Sequence, residues 1–159
     1  MIDMLDSLGE IHPQQIDALE KTLGYSLPAS YRNFLLRYNG GEPADTVFFI
    51  DDEEGEDVIG GFYGICHEDV DNLASIYAIC SGRMPKHVLP IAFDPFGNQI
   101  CLSLAGDDTG NVYFWDHERE YLDGRAPDYH NLILLADSFD AFLASLRPDD
   151  DDEEEESEL

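Results

Sequence analysis

Basic residues are scarce in this chain: 8 lysines and arginines stand against 35 aspartates and glutamates, so the formal net charge is -27 over 159 residues. Proteins that bind nucleic acids neutralise phosphates with clustered lysine and arginine, and the scarcity therefore excludes direct nucleic-acid binding. An anionic membrane surface is excluded for the same reason. Nine of the acids lie in residues 149–159, and the remaining 26 acids against 8 bases still leave -18 on the rest of the chain.

This charge has two readings that the sequence leaves open. It attracts cationic partners and accelerates their association, by roughly 10- to 1,000-fold where steering is effective. It also keeps a protein in solution with no partner involved.

Cysteines and long apolar runs are few as well. Cys66, Cys80 and Cys101 are widely spaced, odd in number and form no CxxC pair, which excludes a disulfide framework and a cysteine zinc site. We expect reduced, buried thiols. The N-terminus has no basic region, and no apolar run approaches the ~20 residues of a membrane helix. The sequence therefore predicts a cytoplasmic protein without a membrane segment.

Catalytic and cofactor motifs are missing. None of the five histidines forms HExxH, no serine lies in GxSxG, and no glycine-rich loop carries the lysine of a phosphate site. The acidic run 51–57 lacks the ligand pattern of a calcium loop. We therefore predict a protein that is not an enzyme and has no catalytic residues, cofactor or metal. A small enzyme with two carboxylates in unlike environments is the weaker alternative.

Four helices are predicted from apolar residues at spacings of three and four. The first runs from Pro13 to Leu23 and ends at Gly24, and the second runs from Pro28 to an Asn-Gly-Gly stop at 39–41. The third is expected from about Asp69 to Cys80. Ser138 or Asp137 is expected to cap the last helix, which ends at Pro148.

Six segments rich in β-branched and aromatic residues predict strands, with an acidic loop over 51–57. Short polar connections between the later strands favour an antiparallel meander. We expect an α+β fold: an antiparallel sheet of about five to six strands with helices packed on one side. Residues 1–148 are expected to form a single domain, and the acidic segment 149–159 to be a disordered tail. The predicted strands are 46–50, 58–66, 87–93, 99–104, 111–115 and 132–135.

Four segments in order resemble the SUKH superfamily, the bacterial immunity proteins that are similar to the yeast Smi/Knr cell-wall regulator. They are Leu27–Gly41, with its proline-started helix and Asn-Gly-Gly stop; Leu89–Leu102, with Asp94 and Gly97-Asn98; Gly110–Glu118; and Ala136–Leu143. Together they span roughly residues 10 to 147.

The resemblance implies a function. Many bacterial members are encoded beside polymorphic toxins, which they bind and block, and such toxins are often nucleases with cationic clefts. The expected partner is therefore a cognate, basic protein toxin, with no direct contact to nucleic acid or membrane. A regulatory or scaffold protein that binds a cell-wall or signalling partner is the alternative. The sequence leaves the oligomeric state open.

The segment 42–57 is the candidate partner-binding surface, because it is rich in carboxylates and contains no lysine or arginine. The alternative is a solvated loop without a partner. Phe62 and Tyr63 are added as aromatic neighbours that would supply binding energy, although core burial competes for at least one of them. The acids of this predicted site are Glu42, Asp45, Asp51, Asp52, Glu53, Glu54, Glu56 and Asp57.

Overall fold

A computed structural model describes residues 2–68 and 70–149. Within these residues, four helices and seven strands follow one another, with a single 3-10 turn at His117–Arg119. The helices are α1 (Pro13–Leu23), α2 (Ala29–Tyr38), α3 (Leu73–Ile79) and α4 (Phe139–Ser145). The strands are β1 (Val47–Asp51), β2 (Gly55–Val58), β3 (Gly61–Phe62), β4 (Val88–Phe93), β5 (Gln99–Ser103), β6 (Val112–Trp115) and β7 (Leu132–Ala136).

The main sheet has five antiparallel strands in the order β3-β4-β5-β6-β7, so each strand pairs with its neighbours in the chain. β1 and β2 form a separate two-stranded hairpin, with β1 close to β7, and Val47 at the start of β1 also makes an isolated bridge with Arg147. The α+β fold with an antiparallel sheet and helices is confirmed.

One face of the sheet carries the larger core, where three phenylalanines from distant segments meet. The ring of Phe34 on α2 lies 5.0 Å from that of Phe62 on β3 and 5.1 Å from that of Phe139 on α4. Phe48 fastens the hairpin to this core, because its ring packs 6.3 Å from Phe114 on β6 and 5.9 Å from Phe142 on α4. The core therefore joins helices, sheet and hairpin into one unit.

The opposite face carries a smaller core around Trp115, which packs with Cys80, Cys101 and Met84. The guanidinium of Arg83 lies 5.1 Å from the Trp115 ring and covers it from the solvent side. All three cysteines are free thiols, and burial raises the pKa of Cys101 well above its usual value. Buried thiols of this kind are unreactive packing groups, whereas Cys66 is only partly buried, so the expectation of buried thiols is wrong for that residue.

Capping residues set the helix ends. Gly24 and Asn39 adopt the left-handed conformation that ends α1 and α2, and Ser138, rather than Asp137, caps α4 by accepting the N–H of Ala141. The third helix begins later than predicted, at Leu73, because the Asn72 side chain accepts the N–H groups of the first turn. Asp69, the predicted start, lies outside the described residues.

Two strand predictions were wrong in extent. The expected strand 58–66 supplies only Val58 to β2 and Gly61–Phe62 to β3, while Gly64 makes an isolated bridge with Asn72. The expected acidic loop 51–57 is largely paired, since Gly55–Val58 forms a strand against β1. Acids and glycine are depleted in strands, and this one forms because β1, which is held in the core by Phe48, pairs with it.

The proposed single domain 1–148 and tail 149–159 remain predictions. Residues 150–159 lie outside the described part of the chain. Among the residues that are described, no helix is long and apolar enough to cross a membrane.

Replacing Phe139 by alanine should lower the free energy of unfolding by about 3–5 kcal/mol, because a buried ring that contacts three other aromatic rings leaves a cavity. Phe96→Ala is the matched control, since that ring is 68% exposed and its loss should cost at most about 0.5 kcal/mol. Urea unfolding followed by circular dichroism measures both. Equal losses in the two variants would contradict the proposed core.

Candidate functional site

The acidic segment forms the β1–β2 hairpin and its turn. Phe48 pairs with Asp57 and Phe49 with Glu56, and the register shifts before Asp51, which faces Gly55. Asp51 closes the turn, because its carboxylate accepts the backbone N–H groups of Glu53 at 3.0 Å and Glu54 at 2.7 Å. The turn thus uses one carboxylate to hold its own backbone.

The two faces of the hairpin differ in chemistry because side chains alternate along a strand. Phe48 and Ile50 point into the core, together with Asp57, the cross-strand partner of Phe48. Phe49 and its cross-strand partner Glu56 point outward. The hairpin therefore partly buries Asp51 and Asp57 and exposes Asp52, Glu53, Glu54 and Glu56.

Two arginines from outside the hairpin bind its exposed acids. Arg119, in the 3-10 turn, donates to Glu54 at 2.8 Å. Arg147, just after α4, donates to Glu56, and its backbone pairs with that of Val47 through two hydrogen bonds of 3.0 Å. These contacts neutralise part of the charge and hold each end of the hairpin to the rest of the protein.

Asp57 lies against a second buried carboxyl group, that of Asp94 in the β4–β5 turn. The Asp94 carboxylate is 4% exposed and accepts three hydrogen bonds, from the N–H of Phe96 (2.9 Å), the N–H of Asn98 (2.7 Å) and the Asn98 amide (2.8 Å). Asp57 Oδ1 accepts the N–H of Val58 at 2.8 Å, whereas Oδ2 is buried and no donor in the described chain reaches it.

Burial, followed by a hydrogen bond shared with Asp94, raises the pKa of Asp57 to about 7. Asp57 is the group whose pKa is raised, so it carries a proton below about pH 7 and can donate it to the neighbouring Asp94 carboxyl group. The pair therefore acts as an acid–carboxylate hydrogen bond that attaches the hairpin to the sheet.

Asn98, which donates to Asp94, also connects the β4–β5 turn to the 3-10 turn. Asn98 Oδ1 accepts the backbone N–H of His117 at 3.1 Å and lies 2.6 Å from Nδ1 of its ring. Since an amide oxygen only accepts, Nδ1 carries the proton. Asp116 caps this turn through the N–H of Glu118. The family-like segments around Asp94 and His117 thus meet beneath the hairpin.

The structure places the eight predicted acids in two regions, the β1–β2 hairpin and the segment before β1. Six of them belong to the hairpin, of which Asp52 and Glu53 extend into solvent at the turn. Glu42 and Asp45 precede β1 and follow the N-terminal segment, where the carbonyl of Glu42 accepts the N–H of Leu5 at 2.7 Å. Their role in binding a partner stays a prediction.

The two predicted aromatic neighbours lie inside the protein. Phe62 is 1% exposed among the core phenylalanines, and the Tyr63 hydroxyl donates to buried Gln99 at 2.7 Å. Neither presents its ring at the surface. Phe49, which the sequence reasoning did not single out, is the exposed aromatic ring of the hairpin. Side chains alternate along a strand, so Phe49 should point away from the face that Phe48 and Ile50 share. The unbroken apolar run 47–50 concealed this alternation in the sequence.

A second polar cluster surrounds Asp108 in the β5–β6 loop. Its carboxylate accepts the hydroxyls of Tyr113 and Tyr129 at 2.8 Å and that of Ser103 at 2.9 Å. Burial works against the charge, but the three hydroxyls together lower the pKa of Asp108. This cluster fastens the 117–131 connection to the sheet. Among the described residues, no group of three histidine, cysteine or acidic side chains is placed to hold a metal ion.

The class of the protein is a small α+β protein with an antiparallel sheet and helices. Hydrogen bonds from Asp94 through Asn98 to His117 connect the β4–β5 turn and the 3-10 turn next to the hairpin. The model of the SMI1/KNR4 family (SUKH-1) matches residues 10–145, so the chain belongs to this family. The predicted resemblance is confirmed. The chain is also 32% identical over 150 residues to the SPbeta prophage-derived uncharacterized protein YokK of Bacillus subtilis (strain 168), an alignment that covers 84% of this chain and 73% of that relative.

Asp57→Asn should change how stability depends on pH. The folded pKa of about 7 lies above the ordinary value of 3.8, so the native state binds the proton more tightly. The stability that this proton provides is complete below about pH 4 and is lost as pH rises to about 7. Asparagine keeps a donor at every pH.

The difference in unfolding free energy between Asp57→Asn and the unmodified protein should therefore rise from pH 4 to 7 by about 1 kcal/mol and level off above. This figure is discounted because Asp57 is only half-buried. Urea unfolding across this range measures the difference, with exposed Asp52→Asn as the control that should show no slope. A flat difference for Asp57→Asn would contradict the shared proton.

Proposed function

We propose that this protein is an immunity protein that binds and neutralises a cognate bacterial toxin without catalysing a reaction. Membership of the SMI1/KNR4 (SUKH-1) family is the observation that carries the proposal, because many bacterial members of the superfamily block toxins encoded beside them. The name of the Bacillus relative describes it as prophage-derived, which agrees with a gene carried on a mobile element.

The charge of the protein supports a basic partner. A surface of this sign attracts a cationic cleft from a distance and occupies it in place of phosphates. A nuclease-type toxin has such a cleft. Binding there blocks the toxin by exclusion of its substrate, and no chemical step is required of the immunity protein.

The hairpin and the residues before it are the proposed contact. Asp52 and Glu53 extend from the turn, Glu54 and Glu56 hold exposed arginines, and Glu42 and Asp45 flank the segment. Rigid attachment through Phe48 and Asp57 presents these charges in fixed positions, which reduces the entropy lost on binding.

The Asp57–Asp94 pair also suits a binding role. It is the pair of carboxyl groups in unlike environments that the alternative hypothesis of a small enzyme would require. Three donors occupy the oxygens of Asp94, and Asp57 closes the pair from the solvent side. Both carboxyl groups are thus engaged in holding the hairpin. The free thiols of the three cysteines agree with action in the reducing cytoplasm, where a nuclease toxin meets its substrate.

Co-expression with the protein encoded by the neighbouring gene tests the function. We expect growth to be rescued and the two proteins to co-purify at about 1:1. Toxicity that persists despite a folded, abundant protein would refute the immunity role.

Reversing Asp52 and Glu53 to lysine should abolish protection and slow association on the order of tenfold or more, because the charges that attract the partner change sign. Neither side chain holds the turn, so circular dichroism should stay unchanged. Asp107→Lys with Asp137→Lys is the matched control, since both acids are exposed at the opposite end of the sheet and the charge change is equal. Growth rescue and association rates measure both variants, and equal losses would remove the hairpin from the interface.

A further inference from the structure

The outward face of the hairpin has an apolar centre within an acidic surface. Phe49 is 53% exposed, and half-buried Val47 and Val58 form the neighbouring cross-strand pair. Glu56 stands directly opposite Phe49. An exposed ring alone is ordinary on a protein surface. The polar neighbours of Phe49 on this face are carboxylates. A partner that covers the ring must therefore also carry positive charge.

Guanidinium groups already bind at both ends of this face. Arg119 is paired with Glu54 and Arg147 with Glu56, and the two arginine side chains are 54% and 53% exposed. Exposed pairs of this kind contribute little to stability, at most about 1 kcal/mol. An arginine from outside can therefore exchange with either of them at small cost.

Arginine is the side chain that fits both features of the face. Its planar guanidinium stacks on an aromatic ring and at the same time donates two parallel hydrogen bonds to a carboxylate. The compact ammonium of lysine can approach the ring or the carboxylate, but it cannot stack flat on Phe49 while donating two parallel hydrogen bonds to Glu56. A face that offers Phe49 and Glu56 side by side thus favours arginine over lysine.

We propose that the outward face of the β1–β2 hairpin, centred on Phe49, docks an arginine-bearing segment of a basic partner protein. The proposal rests on the proposed function and names the surface and chemistry of that contact. A second copy of the chain is a poor occupant, because two proteins of charge -27 repel each other.

Fluorescence anisotropy with two labelled peptides tests the chemistry without the toxin. One peptide alternates arginine with glycine, and the other alternates lysine with glycine at equal length and charge. At about 150 mM salt, where long-range attraction is screened, the unmodified protein should bind the arginine peptide several-fold more tightly. Phe49→Ala should weaken the arginine peptide about fivefold and remove the preference over lysine.

Two further variants keep this test specific. Phe49→Leu retains apolar area but lacks the aromatic face, and it should also lose the preference for arginine. Ile79→Ala removes an apolar side chain that is 61% exposed on α3, a helix that contacts α1 and β4, and it should leave both affinities unchanged. Circular dichroism verifies that each variant is folded.

Equal binding of the two peptides by the unmodified protein, or equal effects of Phe49→Ala and Ile79→Ala, would overturn the proposal. So would a dimer that Phe49→Ala dissociates. Growth rescue separates this proposal from the immunity role: rescue by Phe49→Ala equal to that by Ile79→Ala rejects only the docking face. Failure of the unmodified protein to rescue rejects the immunity role, while the peptide result still decides the chemistry of the face.

Discussion

Repulsion between carboxylates is the constraint that shapes the hairpin and its attachment. Six acids fall within seven residues around the turn at 51–57, in a protein that is already strongly negative. The fold accommodates them in different ways. Asp51 accepts turn N–H groups, Glu54 and Glu56 bind arginines, and Asp57 shares a proton. The repulsion is thereby relieved without removing the negative surface.

The attachment of the hairpin couples this surface to the core. Phe48 inserts between the sheet and α4, and directly beside it Asp57 meets Asp94, which in turn is held by Asn98. The packing fixes the position of the hairpin, and the carboxyl pair adds a contact whose strength depends on the proton of Asp57. In β1, Phe48 is buried and attaches the hairpin to the core, whereas the adjacent Phe49 is exposed on the outward face.

The helices and the strand meander were predictable from the sequence because their signals are local. Apolar spacing located α1, α2 and α4, and Ser138 and Gly24 marked their ends as expected. Most of β2 was not predictable, since Gly55, Glu56 and Asp57 are of residue types depleted in strands and pair because β1 is held by the core. The start of α3 depended on a single cap at Asn72.

The candidate site was predictable only as a stretch of charge. Its eight acids all lie within residues 42–57, but their division into partly buried, paired and solvated groups depends on residues 37 to 91 positions away, such as Asp94 and Arg147. Phe62 and Tyr63 carry the same aromatic signal as Phe49, and only the tertiary packing assigns the first two to the core. Local patterns cannot make that distinction.

The central claim, that the hairpin face is covered by a protein partner, is tested most directly by hydroxyl-radical footprinting of the complex with the toxin. Oxidation of the Phe49 ring reports its own exposure, and Leu122, which is 96% exposed in the 117–131 connection, provides an internal reference. The account predicts that oxidation of Phe49 falls severalfold on complex formation while that of Leu122 is unchanged. Undiminished oxidation of Phe49 in a stable complex would contradict it.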